Sequence, residues 1–214
     1  MLWAGTASAQ ARAPYLDPSL PVERRIDDLV TRMTLEEKVG QMLCLWQGKR
    51  AITDSLGRFN PARAPQWFRV GVGRIERPGD GHGARAEAEF TNAIQRWVKE
   101  NTRLGIPVLF HEEALHGLEA AQATSFPQAI ALASTWNPEI VERIFSTAGA
   151  EARARGVHQV LAPVIDVARD PRWGRIEETY GEDPYLAARL GVAAVRGFQG
   201  GGTTVGPSHV FATL

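Results

Sequence analysis

Residues 107–117 read Pro-Val-Leu-Phe-His-Glu-Glu-Ala-Leu-His-Gly, an apolar run that delivers two imidazoles and two carboxylates into a turn. Three chemistries compete for such a cluster: a metal site, a loop that grips a polar ligand, and an ordinary charged turn. Spacing argues against the metal. His111 and His116 are five residues apart, whereas the helical zinc-protease arrangement needs them four apart. Five residues turn a helix through about 500°, which leaves the two rings about 140° apart. His82, His158 and His209 stand singly in the sequence. The glycine stretches GVGRIERPG and GGG lack the strand–glycine–helix context of a phosphate loop. Neither a metal nor a cofactor is expected.

A charged turn is the ordinary reading of any single carboxylate. Position favours the ligand-gripping loop, because the cluster follows directly on a short apolar run of strand type. A second cluster follows the next long apolar run, in LAPVIDVARDPRWGRIEETYGEDP. There Asp166, Arg169, Asp170, Arg172, Arg175, Glu177 and Glu178 crowd around Trp173 and Tyr180. Carboxylates accept from sugar hydroxyls, guanidinium groups donate in a fixed fork, and an indole face covers the C–H side of a pyranose. An Arg–Asp lattice that pins the loop is the expected role of Arg169, Asp170 and Arg172.

The elements that must carry these clusters follow from periodicity. Apolar runs of strand length recur at Met42–Trp46, Val72–Ile75, Ile106–Phe110, Val157–Val167 and Val210–Leu214. Helical patterns lie between most of them: Ala84–Leu104, Pro138–Arg155 behind an Asn137 cap, and Pro184–Phe198 behind an Asp183 cap. Pro21–Met33 is amphipathic, with Val22, Ile26, Leu29, Val30 and Met33 on one face. Thr34-Leu35-Glu36-Glu37 is a capping-box sequence that opens a further short helix toward Met42. Gln47–Arg63 reads as a long polar loop. Strands alternating with helices mean βαβ units and a parallel sheet. Several strands are apolar throughout, as burial on both faces requires.

Bulk properties narrow the partners. Lys and Arg total 24 against 24 Asp and Glu, with a pI near 7.0. That balance provides no basic field for nucleic acid or an anionic membrane. No segment approaches the roughly 20 apolar residues of a membrane helix. A hydrophobic content of 44% suits a globular fold. The single cysteine, Cys44, forbids an intrachain disulfide. Ala7-Ser8-Ala9 has the small-x-small pattern of a signal-peptidase site without a basic start or a full apolar stretch. Residues 1–19 are therefore expected to be the tail of an export signal with an N-terminal arm, and the protein periplasmic or secreted.

The segments GIPVLFHEEALHG, TSFPQAIALASTWNP, ARDPRWGRIEETYGEDPYLAARLGVAAVRGFQG and HVFATL together resemble the N-terminal barrel domain of family 3 glycoside hydrolases, from about Leu20 to Leu214. The resemblance implies an α/β fold, part of a (β/α)8 barrel running through about five strands. It implies a retaining exo-β-glycosidase that removes terminal β-linked xylose or glucose from oligosaccharides. In that family a Lys-His pair, the nucleophilic Asp and the acid/base Glu all follow the strand ending in ATL. No catalytic residue is therefore expected within this sequence, and the rest of the barrel and a following domain are the implied partners.

Carried over by resemblance, Glu113 grips hydroxyls of the terminal sugar and Arg175 is a second sugar contact. Glu178 is placed beside Arg175 as its orienter, and His116 as a brace of the loop. Glu112 and Glu177 are neighbours of these on an extended chain, pointing the other way. Many β-glucosidases of the family have the shorter Asp where Glu113 stands. An extra methylene there fills the space of a glucose hydroxymethyl, favouring xylose by about 1–3 kcal/mol. The rival expectations are a non-catalytic sugar-binding protein and an inactive truncated product.

Overall fold

The computed structural model describes residues 13–79 and 81–214. The Ala7-Ser8-Ala9 pattern lies outside them. Residues 14–16 form a 3-10 turn seated on the first helix, where the Tyr15 N–H donates to Asp28 at 3.1 Å.

Four strands, β1 (Cys44–Leu45), β2 (Arg74–Glu76), β3 (Leu109–Glu112) and β4 (Gln159–Val160), lie side by side in chain order. All three pairings are parallel, with Cys44 opposite Arg74, Glu76 opposite His111, and His111 opposite Gln159. Residues 210–213 extend the sheet beyond β4 through a parallel bridge between Gln159 and Phe211. The Phe211 N–H donates to the His158 carbonyl at 2.8 Å and the Thr213 N–H to the Ala162 carbonyl at 3.0 Å. The fifth apolar run thus occupies the fifth sheet position without a regular ladder.

Among the described residues seven α-helices accompany the strands: α1 (Val22–Arg32), α2 (Leu35–Met42), α3 (Ala64–Phe68), α4 (Ala84–Asn101), α5 (Ala129–Ala133), α6 (Pro138–Ala154) and α7 (Pro184–Gln199). Each crossover between neighbouring parallel strands carries a helix, the βα repeat of a (β/α)8 barrel. Parallel β-strands need such a crossover, since a tight hairpin joins only antiparallel ones.

Local chemistry fixes the helix starts. Thr34 and Glu37 form the reciprocal capping box of α2, at 3.2 and 2.9 Å. The Asn137 side chain accepts from the N–H groups of Glu139 and Ile140, and Asp183 from those of Tyr185 and Leu186. Strand alternation then separates two faces. Leu45, Ile75, Val108 and Phe110 bury against Phe90, Ile94 and Val98 of α4. Val160 buries against α6 and α7 with Val141, Phe145, Leu190 and Phe198. Cys44, Glu76, His111 and Gln159 alternate onto the inner face.

Three details depart from the sequence reading. The stretch Gln47–Arg63 is not an unstructured loop: Gln47–Ile52 is a 3-10 helix, and Ile52 is fully buried among core side chains. The short helices α3 and α5, too brief to show a period, were not expected. The run Val157–Val167 ladders only at Gln159–Val160, and Pro163 within it has no N–H to contribute.

Candidate functional site

The side chains that collect at one end of the sheet all follow the C-terminal ends of strands, the face on which parallel barrels assemble their sites. Arg77 follows β2, Glu113 follows β3, and Asp166, Arg175 and Glu178 belong to the loop after β4. One end of the sheet therefore carries all three residues singled out from the sequence.

Glu113 is partly buried, with the Arg77 guanidinium 3.7 Å from Oε1. Burial raises its pKa, and the Arg77 charge opposes that rise. Glu119 and Glu76 add to the rise, while Arg175 opposes it. Arg175 is thus close enough for its charge to act on Glu113. Arg175 donates from Nε to Glu178 Oε2 at 2.8 Å. That hydrogen bond, then the Glu178 charge, raises the Arg175 pKa. Glu178 is the more sheltered partner and orients a guanidinium that reaches solvent. Arg175 also lines an open groove with Leu161, Pro163, Asp166 and Thr213.

The backbone that presents Arg77 is unusual, with φ of 48° in the left-handed region. Beneath it the Lys49 ammonium donates to the carbonyls of Glu76 and Arg77, both at 2.6 Å. Lys49 is almost wholly buried, so the 3-10 helix after β1 holds the end of β2 in place. Sequence reasoning missed both residues. Arg77 had a usable signal, since it follows the apolar Val72–Ile75 run as Glu113 follows Ile106–Phe110. Lys49 had none, because its partners are backbone carbonyls of a distant segment.

Glu112 points away from this face, as alternation demands. It is 1% exposed and lies in a buried polar cluster with Glu87, Lys49 and Arg155. Burial first, and then the Glu87 carboxylate, pushes the Glu112 pKa up to about 8. The N–H groups of Gly79 and Glu113 pull it down, as does Lys49. Glu87 is raised by burial too, against the Arg155 guanidinium 3.1 Å away. His116 lies 3.4 Å from Ser125 Oγ and 3.9 Å from Glu119, within its own loop. Arg172 grips Asp170 with two bonds, at 3.0 and 2.7 Å, and both are exposed.

On the inner face Cys44, Glu76 and His111 bring three potential metal donors within 4.8 Å of one another. His82, His158 and His209 belong to no such group among the described residues.

A parallel βα repeat with carboxylates and guanidinium groups paired past the strand ends is the layout of a β/α barrel. Residues 34–214 match the model of the glycosyl hydrolase family 3 N terminal domain, and the chain belongs to that family. A beta-xylosidase of Formosa agariphila is 49% identical over 120 residues, covering 53% of this chain and 17% of that protein. A periplasmic beta-glucosidase of Salmonella typhimurium is 34% identical over 177 residues, covering 82% of this chain and 20% of that protein. The solved structure of a β-glucosidase from Erythrobacter marinus superposes with a TM-score of 0.83 at 36% identity, over 95% of this chain and 27% of that one. The chain thus spans between a sixth and a third of the lengths of these relatives.

Proposed function

We propose that this chain supplies the part of a retaining exo-β-glycosidase that grips the terminal sugar, with β-linked xylose favoured over glucose. The observation that carries the reading is the seat of Glu113: directly past β3, partly buried, and 3.7 Å from the Arg77 guanidinium. A carboxyl group seated there presents oxygens that accept hydrogen bonds from hydroxyls, while Arg175, oriented by Glu178, donates to the same ring.

These groups bind and orient. Bond-breaking in a retaining glycosidase needs two carboxyl groups about 5–5.5 Å apart, one as nucleophile and one as acid/base. Glu113 and Glu178 each face a guanidinium instead, which suits a ligand-holding role. The nucleophile and acid/base are assigned to segments that follow this one in the whole enzyme. Export to the periplasm or beyond is part of the same reading, resting on Ala7-Ser8-Ala9.

Xylose preference rests on side-chain length, since Glu113 reaches one methylene farther than Asp into the space of a hydroxymethyl group. The test is Glu113→Asp in the whole enzyme, with kcat/KM measured for aryl β-xyloside and β-glucoside. The expected result is retained turnover and a xylose-to-glucose ratio lowered about tenfold, in line with the worth of one methylene. An unchanged ratio would place specificity in other loops. A kcat lowered by several orders of magnitude with no change in KM would make Glu113 a reacting group instead.

A further inference from the structure

The inner face of the sheet holds a cluster apart from the proposed sugar contacts Glu113, Arg175 and Glu178. Cys44 on β1, Glu76 on β2 and His111 on β3 place a sulfur, a carboxylate oxygen and a ring nitrogen within 4.8 Å of one another. We propose that these three side chains form a binding site for Zn2+ or a divalent ion of similar softness, inside the barrel and below the strand ends that carry Arg77 and Glu113.

The donor set fits that ion class. Thiolate, imidazole and carboxylate together suit zinc and cobalt, whereas magnesium and calcium take oxygen alone. Distances fit as well. Zn–S and Zn–N bonds of about 2.3 and 2.0–2.1 Å at a tetrahedral angle put sulfur and nitrogen about 3.6 Å apart. Here Cys44 Sγ and His111 Nε2 are 3.4 Å apart. The ligands come from three adjacent strands whose pairing fixes their spacing, with Glu76 directly opposite His111.

A thiol–imidazole hydrogen bond alone accounts for less of what is seen. Sulfur is a weak partner. His111 is only 5% exposed, and the one contact of its Nε2 among the described residues is the Cys44 sulfur. Against the ion stand the positive charges of Arg74 and Lys49, both of which act on Cys44 and His111. The Glu76 carboxylate and the thiolate formed on binding bring two negative charges to balance the ion's two positive ones. Cys44 gives up its thiol proton to solvent, so one proton leaves for each ion bound. Three protein ligands leave a fourth tetrahedral position for water.

The test uses the 214-residue chain with Co2+ as a spectroscopic probe and Zn2+ as competitor. The expected result is one Co2+ per chain, a thiolate-to-cobalt charge-transfer band, and loss of that band on adding one equivalent of Zn2+. Cys44→Ser should abolish the band. Glu76→Gln and His111→Gln should each weaken Zn2+ binding at least tenfold, with amide exchange in β2 and β3 reporting that the sheet is intact. Glu76→Gln adds no bulk and so keeps the test valid should the histidine variant lose its fold. Absence of the band overturns the proposal. So does a band of unchanged affinity in Glu76→Gln, which would show a lone thiol binding metal.

Discussion

Helices α1 and α6 carry the same amphipathic signature and meet opposite fates. In α6 the apolar stripe of Val141, Phe145, Ala148 and Ala152 is buried, and it faces Leu190, Ala194 and Phe198 of α7. Phe145 and Phe198 sit 4.8 Å apart between ring centroids. The two helices approach so closely that a Cβ on Gly197 would come within 2.5 Å of the Glu142 carbonyl. Helix α1 has no buried residue, and Val22 and Ile26 are 58% and 52% exposed. Leu35, Val39 and Met42 of α2 are exposed beside it. Periodicity reports that a helix has an apolar face; it does not report what covers that face. The half of the sheet around β4 has a complete helix layer, while α1 and α2 offer apolar surface with no cover among the described residues.

The sharpest way to break this comparison is to truncate one side chain on each side. Phe198→Ala removes a fully buried ring from the α6–α7 interface and should cost about 3–5 kcal/mol. Ile26→Ala on α1 should stay within about 0.5 kcal/mol, as exposed positions do. Urea unfolding of both variants against the parent measures the difference. An Ile26→Ala cost above about 1 kcal/mol would mean that the α1 face is covered in solution.

Electrostatics divides the two regions in the same way. Glu37, in the first turn of α2, has its pKa lowered, first by the hydrogen bond from Arg103. Its stabilising contribution is present above the ordinary carboxyl pKa and is lost as pH falls. Glu112, enclosed between the sheet and α4, is pushed up to about 8 from 4.5. Between those values the folded chain keeps a proton that the unfolded chain has released. Stability should therefore fall as pH rises through this window, by up to about 1.4 kcal/mol per pH unit. Glu112→Gln cannot ionise and should flatten that dependence. Urea midpoints from pH 5 to 9, with a chelator present, give the comparison. A parent profile as flat as the variant's would show that Glu112 is ionised throughout and that water reaches it.

Much of the fold is written locally. Asn137 and Asp183 followed by proline mark the starts of α6 and α7, because a side-chain acceptor and a preset φ act within one turn. The alternation of apolar runs with these helices leads to the parallel sheet without any tertiary knowledge. The placement of Glu113, Arg175 and Glu178 after strand ends was legible through their position after such runs and through the resemblance of RDPRWGRIEETYGEDP to its family. Long-range partners were not legible. Lys49 reaches carbonyls at Glu76 and Arg77, and Arg155 neutralises Glu87 across 68 residues. The Cys44–Glu76–His111 cluster assembles only through strand register, so histidine spacing within one segment could not reveal it. Glu112 and Glu113 show both sides: alternation separates them, but only the packing of α4 shows that Glu112 is buried rather than solvated.

The smallest expected effect tests whether local capping matters equally in the two regions. Asn137 Oδ1 accepts from Glu139 and Ile140 at 3.0 and 3.2 Å, satisfying two otherwise orphaned donors at the start of α6. Asn137→Ala should cost about 1 kcal/mol of global stability, because α6 is packed and cannot fray without exposing its core face. Helix α1 begins at Pro21 with no side-chain cap. Pro21→Asp would supply one, together with a negative charge at the helix N-terminus, a favourable local change of similar size. With no residue of α1 buried, that gain should slow exchange of the α1 amides and leave the global urea midpoint unchanged. A midpoint raised as much by Pro21→Asp as it is lowered by Asn137→Ala would show α1 to be part of the cooperative unit, and the contrast between the two helices would then be one of exposure alone.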